Sequence, residues 1–387
     1  MNLIIKMTNA CNFACSYCSV GDPSKVTNLN VESIKKFFDG CKELLEYKKD
    51  NSLTILWHGG EPLLRDIALY RELQDYAINK LKGIDIKFSI QTNGSLINDE
   101  WIKFFKEYDI VPGISLDGYK ELHDINRMDK LGNPTFDKVM ESILLLKNNG
   151  ITPGLLMVLN TCNSIDIDKL YDFIINNGCS IKIHSIFPAG RATEREDLTL
   201  LFSKYVDILI ELFKKSIKEE RSVVIDPLSS LLTSIINECS AVECSYSGTC
   251  GKNFICLHED GEVSFCGRND ATRILMYGSI RDNTPLELYL SAQAKMIRNR
   301  AVYIKENGCA ECNYFSLCHG GCPFEAYLYS GNIEAKYIYC AEWKRLLDFM
   351  YTEGLDLFRE YLLKRKREIN IGIEEKKVIL KESRNYV

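Results

Sequence analysis

Three cysteines within eight residues constrain this chain more than any other feature. Cys11, Cys15 and Cys18 follow an apolar run at residues 3–5, and the intervening Thr8-Asn9-Ala10 is typical of a turn after a strand. The spacing therefore predicts a loop around an inorganic cluster. Three thiolates leave one iron of a four-iron cube without a protein ligand, and an open coordination position is typical of catalytic metal centres. A closed zinc site is the alternative, but no fourth Cys or His lies within zinc-finger spacing of Cys18.

Helical and extended patterns alternate through the first 220 residues. Strands are predicted at 3–5, 53–57, 86–90, 110–116, 155–159 and 181–183, and helices at 31–49, 67–82, 99–108, 136–149, 166–176 and 196–220. About six strand–helix repeats predict an α/β fold with parallel strands, which right-handed crossovers curl into a partial (β/α)6 TIM-like barrel. The unusual residues follow strands, at the carboxyl ends where parallel barrels place their sites.

The pattern changes near residue 225. Asp226-Pro227 interrupts the alternation, and the chain from Cys239 onward is rich in Cys, Gly and Asn with only short apolar runs. Bound metal is expected to stabilise such a loop-rich region. The predicted parts are the barrel at 1–225, a small loop-rich iron–sulfur cluster domain at 226–342 with a helical connector at 226–238, and a C-terminal helix with its tail at 343–387.

Charge and composition exclude several classes of protein. The net charge of −5 argues against nucleic acid as a partner, since a nucleic-acid-binding face is strongly basic. No apolar run reaches membrane-spanning length, and the N-terminus lacks the features of a signal peptide. We therefore expect a cytoplasmic enzyme without a membrane partner. Without an export signal, the 16 cysteines favour metal binding over disulfides.

The Cys-x3-Cys-x2-Cys spacing, with Tyr17 before the last cysteine, resembles the radical S-adenosylmethionine (radical SAM) superfamily. The resemblance implies that S-adenosylmethionine chelates the open iron through its amino and carboxylate groups. An electron from the cluster then splits the sulfonium into methionine and a 5′-deoxyadenosyl radical. The cofactor-binding residues implied by the resemblance are Tyr17, Gly59, Gly60, Glu61, Asn93, Ser115 and Arg127.

Two later segments support this resemblance. Gly59-Gly60-Glu61-Pro62 follows a predicted buried strand, and its glycines leave room for a ligand against the backbone; an ordinary turn is the alternative. Ser115-Leu116-Asp117-Gly118 with Arg127 matches a later family element, in which Ser and Arg bind the ribose and carboxylate of the ligand. An arginine fork suits a carboxylate, and a surface ion pair is the alternative for Arg127. Thr92-Asn93-Gly94 fits a turn beside the ribose, and Tyr17 is expected near the adenine.

A second cysteine series occupies the predicted cluster domain. Cys309-x2-Cys312-x5-Cys318-x3-Cys322 is followed by Cys340 and preceded by Cys250 and Gly261-x4-Cys266, an order that resembles the SPASM extension of radical SAM enzymes. With an eighth thiol, the resemblance implies two fully ligated clusters, and three [4Fe-4S] clusters in the whole chain. The implied ligands are Cys250, Cys256, Cys266 and Cys322 for auxiliary cluster 1, and Cys309, Cys312, Cys318 and Cys340 for auxiliary cluster 2.

Alternatives stay open for some of these thiols. Cys239 or Cys244 is an alternative to Cys256 as a ligand, and a zinc ribbon is the alternative for the four cysteines at 309–322 taken alone. The remaining thiols, which lie in helix or strand patterns and are expected to be buried as small apolar side chains, are Cys41, Cys162 and Cys179.

Enzymes of this combined type mostly modify residues within peptides or proteins, so a peptide or protein substrate is expected. They include anaerobic sulfatase-maturing enzymes, which oxidise a Cys or Ser to formylglycine, and maturases that cross-link ribosomal peptides. In the sulfatase-maturing group an acidic base follows the cysteine that corresponds to Cys266, whereas this chain has Gly267 there and Asp270 three residues later. We therefore predict thioether cross-linking, and Asp270 is a candidate base for the formylglycine alternative. Formylglycine formation and, outside catalysis, an iron–sulfur electron-transfer protein are the alternatives.

Two further partners are expected by resemblance. Cofactor cleavage needs a reductant of the flavodoxin or ferredoxin type. Many peptide maturases grip a leader peptide with an N-terminal domain, but only ten residues precede Cys11. We therefore expect the cluster domain, the C-terminal helix or a separate leader-peptide-binding protein to capture the peptide.

Overall fold

The structure of the chain, a computed structural model, describes residues 1–21, 25–159, 165–195, 201–219, 223–239 and 244–369. Cys162 and the first residues of the predicted helix at 196–220 lie outside these ranges. No helix within the described ranges is long and apolar enough to cross a bilayer.

Ten strands of the described residues form one sheet. They are β1 (Asn2–Lys6), β2 (Ser52–His58), β3 (Asp85–Thr92), β4 (Gly113–Ser115), β5 (Gly154–Leu159), β6 (Ile181–Ser185), β7 (Ile225–Asp226), β8 (Phe254–Leu257), β9 (Glu262–Ser264) and β10 (Gly278–Ser279). Across the sheet the order is β10-β9-β8-β1-β2-β3-β4-β5-β6-β7. Strands β1 to β6 are neighbours in chain order and pair in parallel. This arrangement confirms the α/β fold with its six-stranded partial barrel.

The α-helices lie between and after these strands. Those in the described ranges are α1 (Val31–Lys48), α2 (Ile67–Lys80), α3 (Asp99–Glu107), α4 (Lys120–Asn126), α5 (Phe136–Asn148), α6 (Ile167–Asn177), α7 (Phe202–Lys218), α8 (Leu228–Ile236), α9 (Pro285–Leu290), α10 (Ala292–Ile304), α11 (Phe315–Cys318), α12 (Pro323–Ser330), α13 (Cys340–Phe349) and α14 (Leu355–Ile369). Helix α4 was not predicted, and the strand predicted at 110–116 is reduced to the three residues of β4.

Local sequence explains why α1 forms and which face it buries. Asn30 caps its first turn by accepting a hydrogen bond from the backbone N of Glu32 at 2.8 Å. The helix ends at Lys49, which adopts the left-handed conformation with φ 55°. Apolar residues at helical spacing, among them Ile34 and Phe37, are fully buried against the sheet and its helices.

Strands of the predicted cluster domain at 226–342, called the cluster region below, continue the sheet of the barrel. Strand β8 pairs in parallel with β1, with Ile4 opposite Cys256, and β9 and β10 extend the sheet antiparallel from there. Helix α9 packs on α1, where a Cβ on Gly40 would lie 2.4 Å from the ring of Pro285. One sheet therefore runs across the division predicted near residue 225, and that division stays a prediction.

Candidate functional site

The loop of three cysteines rests on the end of β2. The backbone N of Gly60 donates to Thr8 O, and that of Glu61 donates to Ala10 O, both at 2.7 Å. A Cβ on Gly59 would lie 2.3 Å from Thr8 O, and one on Gly60 would lie 2.2 Å from Ala10 O. The glycines are therefore required because the cysteine loop itself packs against them. The sequence analysis expected these glycines to leave room for a ligand, whereas the contacts described here are with the cysteine loop.

Two other segments complete the support of this loop. Ala14 N donates to Met128 O at 2.8 Å, which fixes the first half of the loop to the segment after α4. Arg191, after β6, donates from its backbone N to Cys18 O at 3.0 Å and from Nη1 to Cys15 O at 3.2 Å. The loop is thus held by protein contacts at both ends of the six-stranded barrel.

The three thiols lie close enough to influence one another. Burial raises the pKa of Cys15 to about 12, and Cys18 and Cys11 add to this rise while Arg127 opposes it. Burial likewise raises the pKa of Cys11 to about 11. Thiolates are stable in such a place only with positive charge beside them, and a bound metal supplies it. The site therefore fits a three-thiolate metal centre.

Glu61 ties the ends of β2 and β3 together. Its carboxylate is completely buried and accepts hydrogen bonds from Leu63 N at 2.9 Å, Thr92 Oγ1 at 2.6 Å and Asn93 N at 2.7 Å. Burial raises the pKa of Glu61, while these hydrogen bonds act against the rise. Three protein donors bind this carboxylate, so it positions the two loops.

Arg127 carries an unused donor in the same area. It is 7% exposed, and its Nη1 donates to the hydroxyl of Tyr17 at 2.8 Å, which in turn donates to Asp117. Burial alone would lower the pKa of Arg127, but Cys15, Tyr17 and Asp117 raise it well above its usual value. Among the described residues its Nε has no hydrogen-bond partner. A buried guanidinium with a spare N–H suits a carboxylate ligand, so the surface-pair alternative does not hold.

The other predicted cofactor contacts lie at neighbouring strand ends. Asn93, after β3, donates to Asn12 Oδ1 at 2.8 Å, and its Nδ2 lies 3.9 Å from Cys11 Sγ. Ser115 ends β4, and its hydroxyl accepts a hydrogen bond from Gln91 Nε2 at 3.1 Å. The predicted residues therefore gather at the carboxyl ends of β1 to β4.

Four cysteines of the cluster region line one pocket. Its volume is about 350 Å³ including its mouth, and much of its remaining wall is aromatic or aliphatic. The zinc-ribbon alternative takes Cys322 as its fourth ligand, whereas the fourth thiol that lines this pocket is Cys340. The thiols that line it are Cys309, Cys312, Cys318 and Cys340.

A second group of thiols gathers around Cys250. Burial raises the pKa of Cys250, and the next contributions come from Cys244, Cys266 and Cys322. Cys256 is fully buried in β8, where burial raises its pKa and the strongest neighbouring charge is that of Lys6. Neither Cys250 nor Cys322 is among the main influences on Cys256. The charge of Cys266 nevertheless raises the pKa of both Cys250 and Cys256. The choice between Cys244 and Cys256 as the fourth ligand therefore stays a prediction.

Asp270 lies in a buried network at the ends of β1, β2 and β8. It accepts a hydrogen bond from Lys6 Nζ at 2.8 Å and lies 3.2 Å from His258 Nδ1, while Lys6 Nζ lies 3.4 Å from His58 Nδ1. Burial would raise the pKa of Asp270, but Lys6 and His258 lower it below its usual range. Burial, followed by Lys6, lowers the pKa of His58 to about 3. Asp270 and Lys6 are therefore a buried ion pair beside neutral His58.

Sequence reasoning missed several of these residues. In the sequence, Lys6 is a single charged residue after an apolar run, which gives no sign of a buried ion pair. Thr92 was predicted only as part of a turn. Arg191 follows Pro188-Ala189-Gly190, a turn signal after a predicted strand that was not used. In each case the partner is distant in sequence, so only the fold shows the contact.

Comparison with known proteins identifies the family. The model of the Radical SAM superfamily matches residues 5–174. A cysteine-type anaerobic sulfatase-maturating enzyme of Clostridium novyi is 30% identical over 338 residues, which cover 83% of this chain and 87% of that protein. The chain belongs to the radical SAM superfamily.

Other comparisons extend the likeness of this radical SAM protein. A serine-type anaerobic sulfatase-maturating enzyme of Bacteroides thetaiotaomicron is 26% identical, over 81% of this chain and 80% of that one. The structure of native anSMEcpe with bound AdoMet and Cp18Cys peptide has a TM-score of 0.80 at 23% identity, covering 93% and 99% of the two chains. Streptococcus suis SuiB bound to precursor peptide SuiA has a TM-score of 0.61 at 17% identity, covering 87% and 74%. These structural likenesses show a shared fold.

This radical SAM protein is accordingly an enzyme of the maturase group, close to the anaerobic sulfatase-maturating enzymes. Its cofactors are S-adenosylmethionine and iron–sulfur clusters, as its family membership and its buried thiol groups indicate.

Proposed function

We propose that this enzyme modifies a cysteine-containing peptide and joins the cysteine sulfur to a carbon of that peptide as a thioether. One observation carries the choice: Asp270 and Glu325, the carboxylates whose charges act on Cys266 and Cys322, each form an ion pair. Formylglycine formation needs a base that accepts the proton released as the substrate carbon is oxidised. Thioether formation releases a thiol proton, which is acidic enough to reach solvent without a dedicated carboxylate.

Asp270, the candidate base, is engaged in its ion pair with Lys6. Its pKa is held below the usual range because Lys6 and His258 outweigh the effect of burial. A carboxylate with a depressed pKa is a weak base, and proton transfer to it is unfavourable near neutral pH. Asp270 therefore stabilises the junction between β1 and the cluster region.

Glu325 is likewise occupied. Its carboxylate pairs with Arg268 at 3.0 Å and accepts a hydrogen bond from the hydroxyl of Tyr337 at 2.8 Å. Residue 267 is glycine, and a Cβ added there would lie 3.2 Å from Ile4. The position that carries an acid in the sulfatase-maturing pattern is thus packed against the first strand.

In this proposal, the residues at the carboxyl ends of β1 to β4, called the barrel end below, bind and orient the cofactor. When bound at a reduced cluster, S-adenosylmethionine supplies a 5′-deoxyadenosyl radical that removes hydrogen from the substrate. Cys11, Cys15 and Cys18 hold three of the four irons, and Arg127 offers its Nε to the cofactor carboxylate. Tyr17 fixes the guanidinium and leaves its ring for the adenine.

The electron balance gives the auxiliary thiols a role. Thioether formation breaks one S–H and one C–H bond and forms one S–C bond. The C–H hydrogen leaves as an atom with 5′-deoxyadenosine, the thiol proton leaves to solvent, and one electron remains to be removed. Clusters held by the two auxiliary thiol groups would accept it, which makes three clusters in total. A flavodoxin- or ferredoxin-type protein would reduce the barrel cluster, and a separate protein would present the leader peptide.

The ligand sets are part of the proposal and have a matched test. Auxiliary cluster 1 is assigned to Cys244, Cys250, Cys266 and Cys322, and auxiliary cluster 2 to the thiols that line the pocket. Cys244→Ala should lose about four irons per chain after anaerobic reconstitution, whereas Cys256→Ala should keep full iron. Loss of iron from the Cys256 variant alone would reverse the assignment.

Formylglycine formation is the second candidate, because the similarity to the cysteine-type sulfatase-maturating enzyme of C. novyi extends over most of both chains. The test offers the reconstituted enzyme a sulfatase-motif peptide and a cysteine-rich peptide. Mass, free-thiol count and hydrazine reactivity are then measured. A peptide with a thioether is lighter by two hydrogens, keeps its sulfur and has one free thiol fewer. A peptide with formylglycine made from cysteine has lost the sulfur and carries an aldehyde. An aldehyde from the sulfatase peptide, with the cysteine-rich peptide unchanged, would overturn the thioether proposal.

A further inference from the structure

Arg300 is a buried cation of unusual surroundings. It lies in α10, is 3% exposed, and directs its whole guanidinium at backbone carbonyls. Nε donates to Ile333 O at 2.5 Å and Nη1 to Gly321 O at 2.9 Å. Nη2 donates to Gly320 O and Ala335 O, both at 2.9 Å. These four bonds use four of its five N–H donors, but carbonyls do not neutralise its charge.

No acidic side chain of the described ranges forms an ion pair with Arg300. A charge that is nearly fully buried and unpaired is strongly unfavourable, and buried arginines are normally paired with carboxylates. Arg268, another arginine of this region, follows that rule through Glu325. Arg300 therefore needs another source of negative charge.

The charges of thiols from both auxiliary groups act on Arg300. Burial lowers its pKa, and the charges that oppose this are those of Cys322, Cys250, Cys318 and Cys309, in that order. The first two belong to auxiliary cluster 1 and the other two to auxiliary cluster 2 as assigned above. The guanidinium thus lies where negative charge from both clusters would meet.

Arg300 also holds the segment that links the two groups. Gly320 and Gly321, whose carbonyls it binds, lie between Cys318 and Cys322. Both glycines have positive φ, 82° and 70°, and a Cβ on them would lie 2.6 Å from Ile304 and 2.4 Å from Tyr337 respectively. The segment between Cys318 and Cys322 is therefore tightly packed, and a side chain at either glycine would disturb its conformation.

We propose that Arg300 is the shared counter-charge of the two auxiliary clusters and raises the reduction potentials of both. The inference rests on the cluster assignment of the proposed function. A four-iron cluster with four thiolates carries a charge of about −2 when oxidised and about −3 when reduced, and net charge is one of the properties that set its potential. A nearby cation stabilises the more negative, reduced form, so the clusters accept the substrate electron more readily.

The experiment measures midpoint potentials in the full chain. Arg300→Gln, Arg300→Lys and the control Arg298→Gln are reconstituted anaerobically, and the auxiliary clusters are titrated with EPR detection. Arg298 lies on the same helix, but its guanidinium stacks on Tyr289. Arg300→Gln should lower both potentials enough to change the ratio of reduced to oxidised cluster about tenfold, which is about 59 mV for one electron. Arg300→Lys retains the charge and should retain most of the potential, and Arg298→Gln should match the wild type.

The outcomes separate the inference from its foundation. Wild-type protein without auxiliary cluster signals overturns the cluster assignment and the inference together. Normal clusters with unchanged potentials in Arg300→Gln overturn the inference alone, as does an equal decrease in the lysine and glutamine variants, since lysine keeps the charge. If the glutamine variant does not load iron, the lysine variant decides: near-wild-type potentials support the counter-charge, and lowered potentials contradict it.

Discussion

The barrel end and the cluster region position their cysteines by different means. The barrel loop of Cys11 to Cys18 lies on parallel strands and is fixed by backbone hydrogen bonds from three segments. The cluster region has three short strands at one edge, and cysteines such as Cys309 and Cys340 lie at the ends of helices around a pocket. We therefore expect the protein fold to build the first centre and bound metal to stabilise the second.

The largest effect is expected from removing the barrel thiols. Replacing Cys11, Cys15 and Cys18 with Ala should abolish cofactor cleavage and remove about a third of the iron, four of roughly twelve per chain. Because strands and hydrogen bonds hold the loop, the circular dichroism and thermal midpoint of the barrel should change little. Iron content and 5′-deoxyadenosine release are the measurements. Cys41→Ala, at a thiol buried in α1, is the control and should keep both.

The cluster region should respond in the opposite way. Replacing Cys309 and Cys312 with Ala should increase hydrogen exchange throughout α10 to α13, because bound metal cross-links the loops between these short helices. Exchange in β1 to β6 should stay near that of the wild type. Peptide product should disappear while cofactor cleavage continues. Unchanged exchange in the cluster region would show that its fold does not depend on metal.

The ion pair between the two regions gives a smaller effect with a pH signature. Lys6→Met leaves Asp270 buried without its cation and should lower the free energy of unfolding by about 3–5 kcal/mol near neutral pH. Lys6→Met with Asp270→Asn should recover part of this loss. Chemical denaturation measures both.

The pH dependence of this pair follows from the direction of the shifts. The pKa of Asp270 is lowered, so its contribution is present above its unfolded value near 3.9 and is lost as pH falls through the lower folded value. In Lys6→Met, burial should instead raise that pKa, so the free energy of unfolding should fall as pH rises from about 4 to 8. A variant whose stability is flat over this range would contradict the pairing.

The smallest effect tests the tether within the barrel end. Thr92→Val removes the hydrogen bond to Glu61 and should lower the free energy of unfolding by about 1.5–3 kcal/mol, since the acceptor is charged and buried. S-adenosylmethionine affinity should fall with it if the tether positions the Asn93 turn. Thr54→Val, at a half-buried position of β2, is the control.

Sequence periodicity predicted the barrel because each of its strands pairs with the next in the chain. It missed β8, because Phe254–Leu257 is a short run in a cysteine-rich stretch and its partner β1 lies at the other end of the chain. It also could not decide between two equal spacings, Cys244-x5-Cys250 and Cys250-x5-Cys256. Only the strand pairing shows that Cys256 belongs to the sheet interior.

The contacts of single polar side chains were the least predictable part of the site. Thr92 and Asn93 donate hydrogen bonds to the carboxylate of Glu61, and its local motif did not indicate these partners. Lys6 and Asp270 form their pair only because β1 and the segment after β9 meet in space. A local motif names residue types at a strand end, but which of them face a ligand depends on partners brought in by other segments.

The position of β1 between β2 and β8 has a consequence for synthesis on the ribosome. The first strand to emerge receives its second neighbour only after Phe254 to Leu257 have been made. Until then its outer edge presents unpaired N–H and C=O groups, the surface on which strands of other chains add. A fragment that ends near residue 225 would keep that edge open permanently. Nascent chains of this protein are therefore most prone to aggregate during the interval between the two halves, and slow translation through that interval lengthens the exposure.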